Sequence, residues 1–248
     1  MSGLAEFSDP RLVAIYDTAN AYAPDAQPGF YARLAADLGA ISIIDLGCGT
    51  GVITCKLARL GSVVIGVDPA PEMLKVARLR PYAARVTWVE GDARHLGTPN
   101  ADLAIMTGHV AQFFLTDRSW RSNLEALSAA LRPGGHVAFE SRNPKAREWE
   151  RWTADKRRLV TDSPAGVIER WSEVYDIRDG IVSYTIHSRF LATGEDILAP
   201  TRIRFRSQGE VEESLNEAGF TIQGLYGGWD GRPISDSANE MIFVADRG

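Results

Sequence analysis

The stretch Ile41-Ser42-Ile43-Ile44-Asp45-Leu46-Gly47-Cys48-Gly49-Thr50-Gly51 decides how this chain is read. Its first half is a short β-branched apolar run. Its second half is a glycine-rich turn that opens onto a helical stretch, 52–60. A strand that runs through closely spaced glycines into a helix makes a turn where a ligand can touch backbone. Gly47 and Gly49 permit the tight turn, and Gly51 lets the helix pack close. A dinucleotide pyrophosphate could use such a turn, so its neighbours must say what ligand it serves.

Further apolar runs fall at 63–67, 86–89, 103–106 and 136–140. Between them lie helical stretches. Pro71 opens the one at 71–79 and Pro81 ends it. Trp120, Leu124, Leu127 and Leu131 step at helical spacing until Arg132-Pro133-Gly134-Gly135 stops them. Near-continuous apolar runs separated by helices are what parallel strands covered on both faces require. The first 140 residues therefore predict a doubly wound α/β sheet. Two helical segments precede it, 10–21 and 29–38, separated by the break Ala23-Pro24-Asp25.

After Glu140 the pattern changes. The stretch 148–158 is crowded with charge and tryptophan, and the runs 167–177 and 181–191 flank Asp179-Gly180, a strong hairpin signal. With a third run at 197–205, residues 141–206 predict a three-stranded antiparallel insert serving as lid or wall. Ser207-Gln208-Gly209-Glu210 then fits a capping box, and Val211, Leu215 and Ala218 form a buried stripe that Gly219 ends. Two last strands follow at 220–226 and 241–245. The core domain is thus expected to span 1–140 and 207–248.

Asp45 lies two residues before the first glycine of the turn, where its carboxylate would repel a pyrophosphate and attract a cation. Asp68 follows 23 positions later and Asp92 another 24, one βα unit per step. Three carboxylates thereby reach the carboxyl edge of adjacent strands, where open α/β sheets bind ligands. The bland reading of each is a strand-end cap for the following helix; equal spacing favours the ligand reading. A cationic nucleoside with an amino group, a ribose diol and no phosphate fits three such groups.

At these residues the chain resembles the class I S-adenosylmethionine-dependent methyltransferases. Residues 45–51 look like that family's first motif. Val67-Asp68-Pro69 with Glu72-Met73-Leu74 looks like its second, and Glu90-Gly91-Asp92-Ala93 its third. Leu131-Arg132-Pro133-Gly134-Gly135-His136 looks like the turn into its fifth strand. The resemblance covers 41–140 by motif and the last two strands by topology. It implies a Rossmann-like α/β fold whose seven-stranded sheet has the order 3-2-1-4-5-7-6, the last strand antiparallel. It further implies that Asp45, Gly47, Cys48 and Gly49 face the methionine portion of S-adenosyl-L-methionine. Asp68, beside Pro69, would take the ribose, Met73 would pack near adenine, and Gly91, Asp92 and Ala93 would read the adenine edge. Thr107 and Gly108 would lie beside the sulfonium. The implied reaction is in-line transfer of a methyl group to nitrogen or oxygen of a small molecule, with S-adenosyl-L-homocysteine as product.

Several residues are candidates for the acceptor side. His109, just past strand four, is a general base or a residue that closes the loop. Glu140 is a second candidate base. Arg142, Trp149, Tyr226 and Trp229 are candidates to line the acceptor site. Trp149 and Trp152 share a face if 148–158 is helical, and packing of the insert competes with that role. Arg202, Arg204 and Arg206 alternate on one strand, as an anion stripe or as partners of Glu169 and Glu173. Tyr16 and Tyr22 are placed to close over a cofactor. Cys48 reads as a small residue in a tight turn.

Composition narrows the class. The 248 residues carry a net charge of -5 and a pI of about 5.5. There is no basic surplus for gripping nucleic-acid phosphates, and Met106-Thr107-Gly108-His109 is unlike an Asn-Pro-Pro-Tyr base-flipping loop. Two cysteines and four histidines offer neither a disulfide framework nor a metal site. No apolar run approaches membrane-spanning length, and the N-terminus lacks a signal-peptide layout. The expectation is a cytoplasmic enzyme whose partner is a small-molecule methyl acceptor, with no metal, nucleic acid or membrane partner; a homodimer is compatible with the sequence. Two other classes stay open: a non-catalytic S-adenosylmethionine-binding protein and, less favoured, a nicotinamide-dependent oxidoreductase.

Overall fold

The computed structural model describes residues 4–20, 26–161, 163 and 165–248. Helices α1 (Ala5–Ser8), α2 (Pro10–Ala19) and α3 (Ala26–Asp37) precede an alternating run. That run is β1 (Ser42–Leu46), α4 (Val52–Arg59), β2 (Val63–Asp68), α5 (Pro71–Ala77), β3 (Val86–Glu90), β4 (Ala101–Met106), α6 (Asp117–Ala130) and β5 (Leu131–Arg142). The insert contributes β6 (Arg158–Val160), β7 (Ile168–Arg178), β8 (Ile181–Phe190) and β9 (Glu195–Arg204). The chain closes with α7 (Gln208–Glu217), β10 (Phe220–Tyr226) and β11 (Glu240–Arg247).

Seven strands form one sheet in the order β3-β2-β1-β4-β5-β11-β10. The first five run parallel, and β11 is antiparallel to both β5 and β10. This is the α/β, Rossmann-like order that the family resemblance implies. Side chains alternate across the sheet, as strand geometry requires. Ile44, Ala104 and Met106 face one way, onto Trp120, Leu124 and Leu127 of α6. Ile43, Leu103 and Ile105 face the other way, onto Phe30 and Tyr31 of α3 and Leu57 of α4. Trp120 is buried, sits edge-on to Phe139 and donates its indole N–H to Ser214 Oγ at 2.8 Å.

The insert has four strands rather than three, in the order β6-β7-β8-β9. The extra strand, three residues long, pairs on the edge of β7 and is too short to leave a periodicity signal. The inner face of this sheet packs on α2: Ile168, Phe190, Ile197 and Ala199 meet Leu12, Ile15 and Ala19. Beneath α1, Arg170 of β7 donates to Glu6 Oε1 at 2.8 Å, with both side chains buried.

Two local expectations are corrected. The stretch 148–158 holds only a single 3-10 turn, Glu148–Arg151. Trp149 packs edge-on to Phe205 and Trp152 tilts against Tyr184, so aromatic packing replaces helical register. The arginines do not face Glu169 and Glu173, because β8 lies between β7 and β9. Arg204 pairs instead with Asp117 and Glu210. Arg206 is buried over the Trp120 ring and donates to Phe114 O at 2.8 Å; burial lowers its pKa to about 10.

Candidate active site

The carboxyl ends of β1, β2 and β4 meet at one edge of the sheet. Gly47 has φ +74, and a Cβ there would lie 2.3 Å from Val110 Cγ2, so the turn admits glycine alone. Its amide and that of Cys48 donate to Val67 O at 2.7 and 3.0 Å, fastening the turn to β2. Asp68 completes the fastening: Oδ2 accepts from Gly49 N and Oδ1 from Ala70 N, each at 2.8 Å. Each oxygen keeps a lone pair for another donor. Burial raises the Asp68 pKa against these two donors.

Asp45 is buried behind the turn. Thr54 Oγ1 donates to its Oδ2 at 2.6 Å, while Oδ1 has no partner among the described residues. Burial, with the charges of Asp68 and Glu140, outweighs Thr54 and pushes the Asp45 pKa up to about 7. Burial also raises the Cys48 thiol well above its ordinary value, which fits a packing residue and not a nucleophile.

A cleft with about 360 Å³ of free space, open to solvent, lies over this edge. Gly47, Gly49, Asp68, Met73, Thr107 and Gly108 line it, all six named from sequence. Phe7, Tyr16, Val110 and Phe113 complete it, and Phe7 stands edge-on to both Tyr16 and Phe113. Tyr22, the other tyrosine proposed to close over a cofactor, lies outside the described residues.

The third motif stands apart from this lining. The Asp92 carboxylate caps the turn Ala93–His95 and pairs with Arg94 at 2.5 Å, which holds its pKa below the usual carboxylate range. The Ala93 amide donates to Asn123 Oδ1 at 3.3 Å. Gly91 is packed against the His95 ring. Here the capping reading of the carboxylate is the one realised, because a 3-10 turn needs an acceptor at its start.

On the other side of the cleft, Gly108 and His109 both have positive φ, +74 and +62. His109 is held in this sparsely populated region at both ends. Its amide donates to Glu140 Oε1 at 2.9 Å, and its Nε2 lies 3.0 and 2.9 Å from the two carboxylate oxygens of Glu240. Glu140 is fully buried and also accepts from Gln27 Nε2 at 2.6 Å and from the Tyr31 hydroxyl. With three donors around it, Glu140 braces the loop and is not presented to the cleft, contrary to its expectation as a base. Arg142 donates to Gln112 Oε1, pairs with Glu148 and lies over the Trp152 ring. Tyr226 and Trp229 pack on Phe30, and Trp229 also on Tyr31, so they belong to the α3 layer and not to the cleft. Aromatic packing on the opposite face of the sheet draws them there.

The residue set fits S-adenosylmethionine. Asp45 has an orphaned buried oxygen suited to an ammonium, Asp68 has spare acceptor capacity for a diol, and among the described residues no cation lines the cleft to favour a pyrophosphate. Among the described residues no group of three or more His, Cys, Asp or Glu is arranged to hold a metal ion. No described helix is long and apolar enough to cross a membrane.

The family profile described as "Methyltransferase domain" matches residues 43–135, the segment that builds this edge. That segment is a methyltransferase domain. Among relatives, the chain is 28% identical over 210 residues to a cypemycin N-terminal methyltransferase from a Streptomyces species, covering 83% of each chain. It is 33% identical over 129 residues to the ubiquinone biosynthesis O-methyltransferase of Cronobacter sakazakii, covering 49% of this chain and spanning only half of that protein. By fold it is similar to S-adenosylmethionine-bound CalS10, an amino pentose methyltransferase of Micromonospora echinaspora. There the TM-score is 0.70, with 21% identity and 95% of each chain covered.

Sequence reasoning missed Phe7, Val110, Phe113 and Glu240. Val110 and Phe113 follow the strand-four turn within seven residues of Met106, an offset that could have flagged them. Glu240 begins the last strand and carries no local signal.

Proposed function

We propose that the acceptor is a small-molecule amine, and that this methyltransferase transfers one methyl group to its nitrogen. The observation that carries this reading is His109, adjacent to the cleft residues Thr107 and Gly108 and backed by a carboxylate. A secondary support is the aromatic and acidic character of the surroundings: Phe7, Tyr16 and Phe113 line the cleft with Asp68. Aromatic faces and carboxylates both favour a cationic or amine-bearing guest. A relative that covers 83% of the chain is named as an N-terminal methyltransferase, which agrees.

Asp45 and Asp68 would hold the cofactor's ammonium and ribose. When bound, S-adenosylmethionine supplies an activated methyl group and leaves as S-adenosylhomocysteine. The protein's part is then to align the acceptor, exclude water and receive one proton. Phe7, Tyr16 and Phe113 exclude water. His109 receives the proton that the nitrogen sheds as its lone pair forms the new bond. The insert, residues 141–206, serves as a lid whose inner face rests on α2.

The test is incubation of the purified protein with S-adenosylmethionine and a panel of primary amines, secondary amines, phenols and hydroxy acids, read by mass spectrometry. Amines gaining one methyl, with one S-adenosylhomocysteine each, are the expected result. Methylation confined to hydroxyls overturns the nitrogen assignment. Cofactor binding with no product from any acceptor overturns catalysis on this panel and favours a binding protein.

A further inference from the structure

We infer that Glu240 is a positioning residue, fixing the His109 imidazole with Nε2 protonated so that Nδ1 is its basic nitrogen. The inference rests on His109 being the proton acceptor proposed above.

The geometry is specific. Both oxygens of Glu240 lie within 3.0 Å of His109 Nε2, and both side chains are largely shielded from solvent. Burial alone would raise the Glu240 pKa, but the charge and hydrogen bond of His109, together with the charge of Arg142, prevail and lower it. Glu240 is therefore ionised at neutral pH. A carboxylate only accepts hydrogen bonds, so the nitrogen facing it must carry hydrogen. That leaves Nδ1 with the lone pair, and no described side chain engages it. Orientation of a base by a buried carboxylate is a general way of choosing its tautomer.

The placement follows from the sheet. Glu240 pairs in register with Arg142, and Ile242 with Glu140, so β5 and β11 carry two glutamates two residues apart. Glu140 takes the backbone N–H of His109 and Glu240 takes its ring. The other charged or titratable groups facing this pair are Arg142 and Glu140 from β5 and Tyr31 from α3, with Asp45 behind Tyr31. Glu148, paired to Arg142, is one step further out.

A double-mutant cycle reads the coupling, using the fastest amine of the panel as probe. Glu240→Ala is expected to lower kcat about 30-fold with KM for S-adenosylmethionine unchanged, less than the roughly 10²–10⁴-fold at stake in the base itself. Glu240→Gln, which can still accept from Nε2, recovers part of the loss. In a His109→Ala background, Glu240→Ala should change kcat less than twofold. Equal losses in both backgrounds overturn the inference, since Glu240 would then act without His109. An acceptor-free measurement keeps the test independent of the nitrogen reading. Long-range ¹H–¹⁵N spectra of the intact protein should show His109 protonated at Nε2 at neutral pH in the wild type and a mixture of tautomers in Glu240→Ala. A ring with hydrogen on Nδ1 alone, or a tautomer unmoved by the substitution, overturns the role of Glu240 even if no acceptor is ever methylated.

Discussion

Asp68 Oδ2 accepts the backbone N–H of Gly49 at 2.8 Å, so the carboxylate ending β2 is bonded directly to the turn ending β1. The same carboxylate takes the Ala70 amide at the start of its own helix. One side chain thus shapes the glycine turn and offers its remaining lone pairs to the cleft.

Asp68→Ala should weaken S-adenosylmethionine binding by at least tenfold, since hydrogen bonds to a charged group are worth about 1.5–3 kcal/mol. Asp68→Asn, which keeps one acceptor oxygen, should lose less. Isothermal titration calorimetry measures both, and an unchanged affinity for the alanine variant would remove Asp68 from the ribose site.

Asp45 gives the site a pH dependence of definite sign. Its folded pKa of about 7 lies above the ordinary 3.8. In the ligand-free protein this group's stabilising contribution is complete below about pH 4 and is lost as pH rises through 7. A cationic cofactor reverses the preference, because the ionised carboxylate then has a counter-charge. The rise in melting temperature caused by S-adenosylmethionine should therefore grow between pH 6 and 8. In Asp45→Asn that growth should vanish; if it persists, another group is responsible.

Gly47 has no tolerance for a side chain. Gly47→Ala places a methyl group against Val110 and forces a left-handed residue, which should cost about 1–3 kcal/mol. Urea denaturation gives the loss directly. Adding Val110→Ala should return part of it, and no recovery would mean that the backbone alone carries the strain.

The buried Glu6–Arg170 pair joins α1 to the insert, yet Glu6 Oε2 and Arg170 Nη1 have no partners among the described residues. Breaking it from one side, with Arg170→Met, should destabilise the fold by about 3–5 kcal/mol by leaving an uncompensated charge. Glu6→Gln with Arg170→Met should recover most of that. A double variant no better than the single one would show that the pair contributes through packing rather than charge.

The parallel half of the fold was legible because it is written in local signals. Apolar runs of four to six residues, a glycine turn after one of them and acids at equal spacing each depend only on near neighbours in sequence. The same holds for six of the cleft residues, which sit at fixed offsets from strand ends. Asp92 shows where this reasoning fails: its position is as expected, but Arg94, two residues on, claims its carboxylate. Spacing places a side chain at an edge without saying which competing partner it takes.

The chain's local pattern fixed the alternation of strand and helix, the place of the glycine turn and the acids at the strand ends, because backbone geometry ties strand, turn and helix to short-range pattern; the sheet order followed only from the family resemblance. Tertiary structure alone decided that Phe7 reaches the cleft from α1, that Glu140 is consumed in bracing a loop, and that Glu240 meets His109 across 131 positions. Such contacts join residues far apart in the chain, and no local preference encodes them. They are fixed only when β11 slots beside β5 and the helices close over the edge of the sheet.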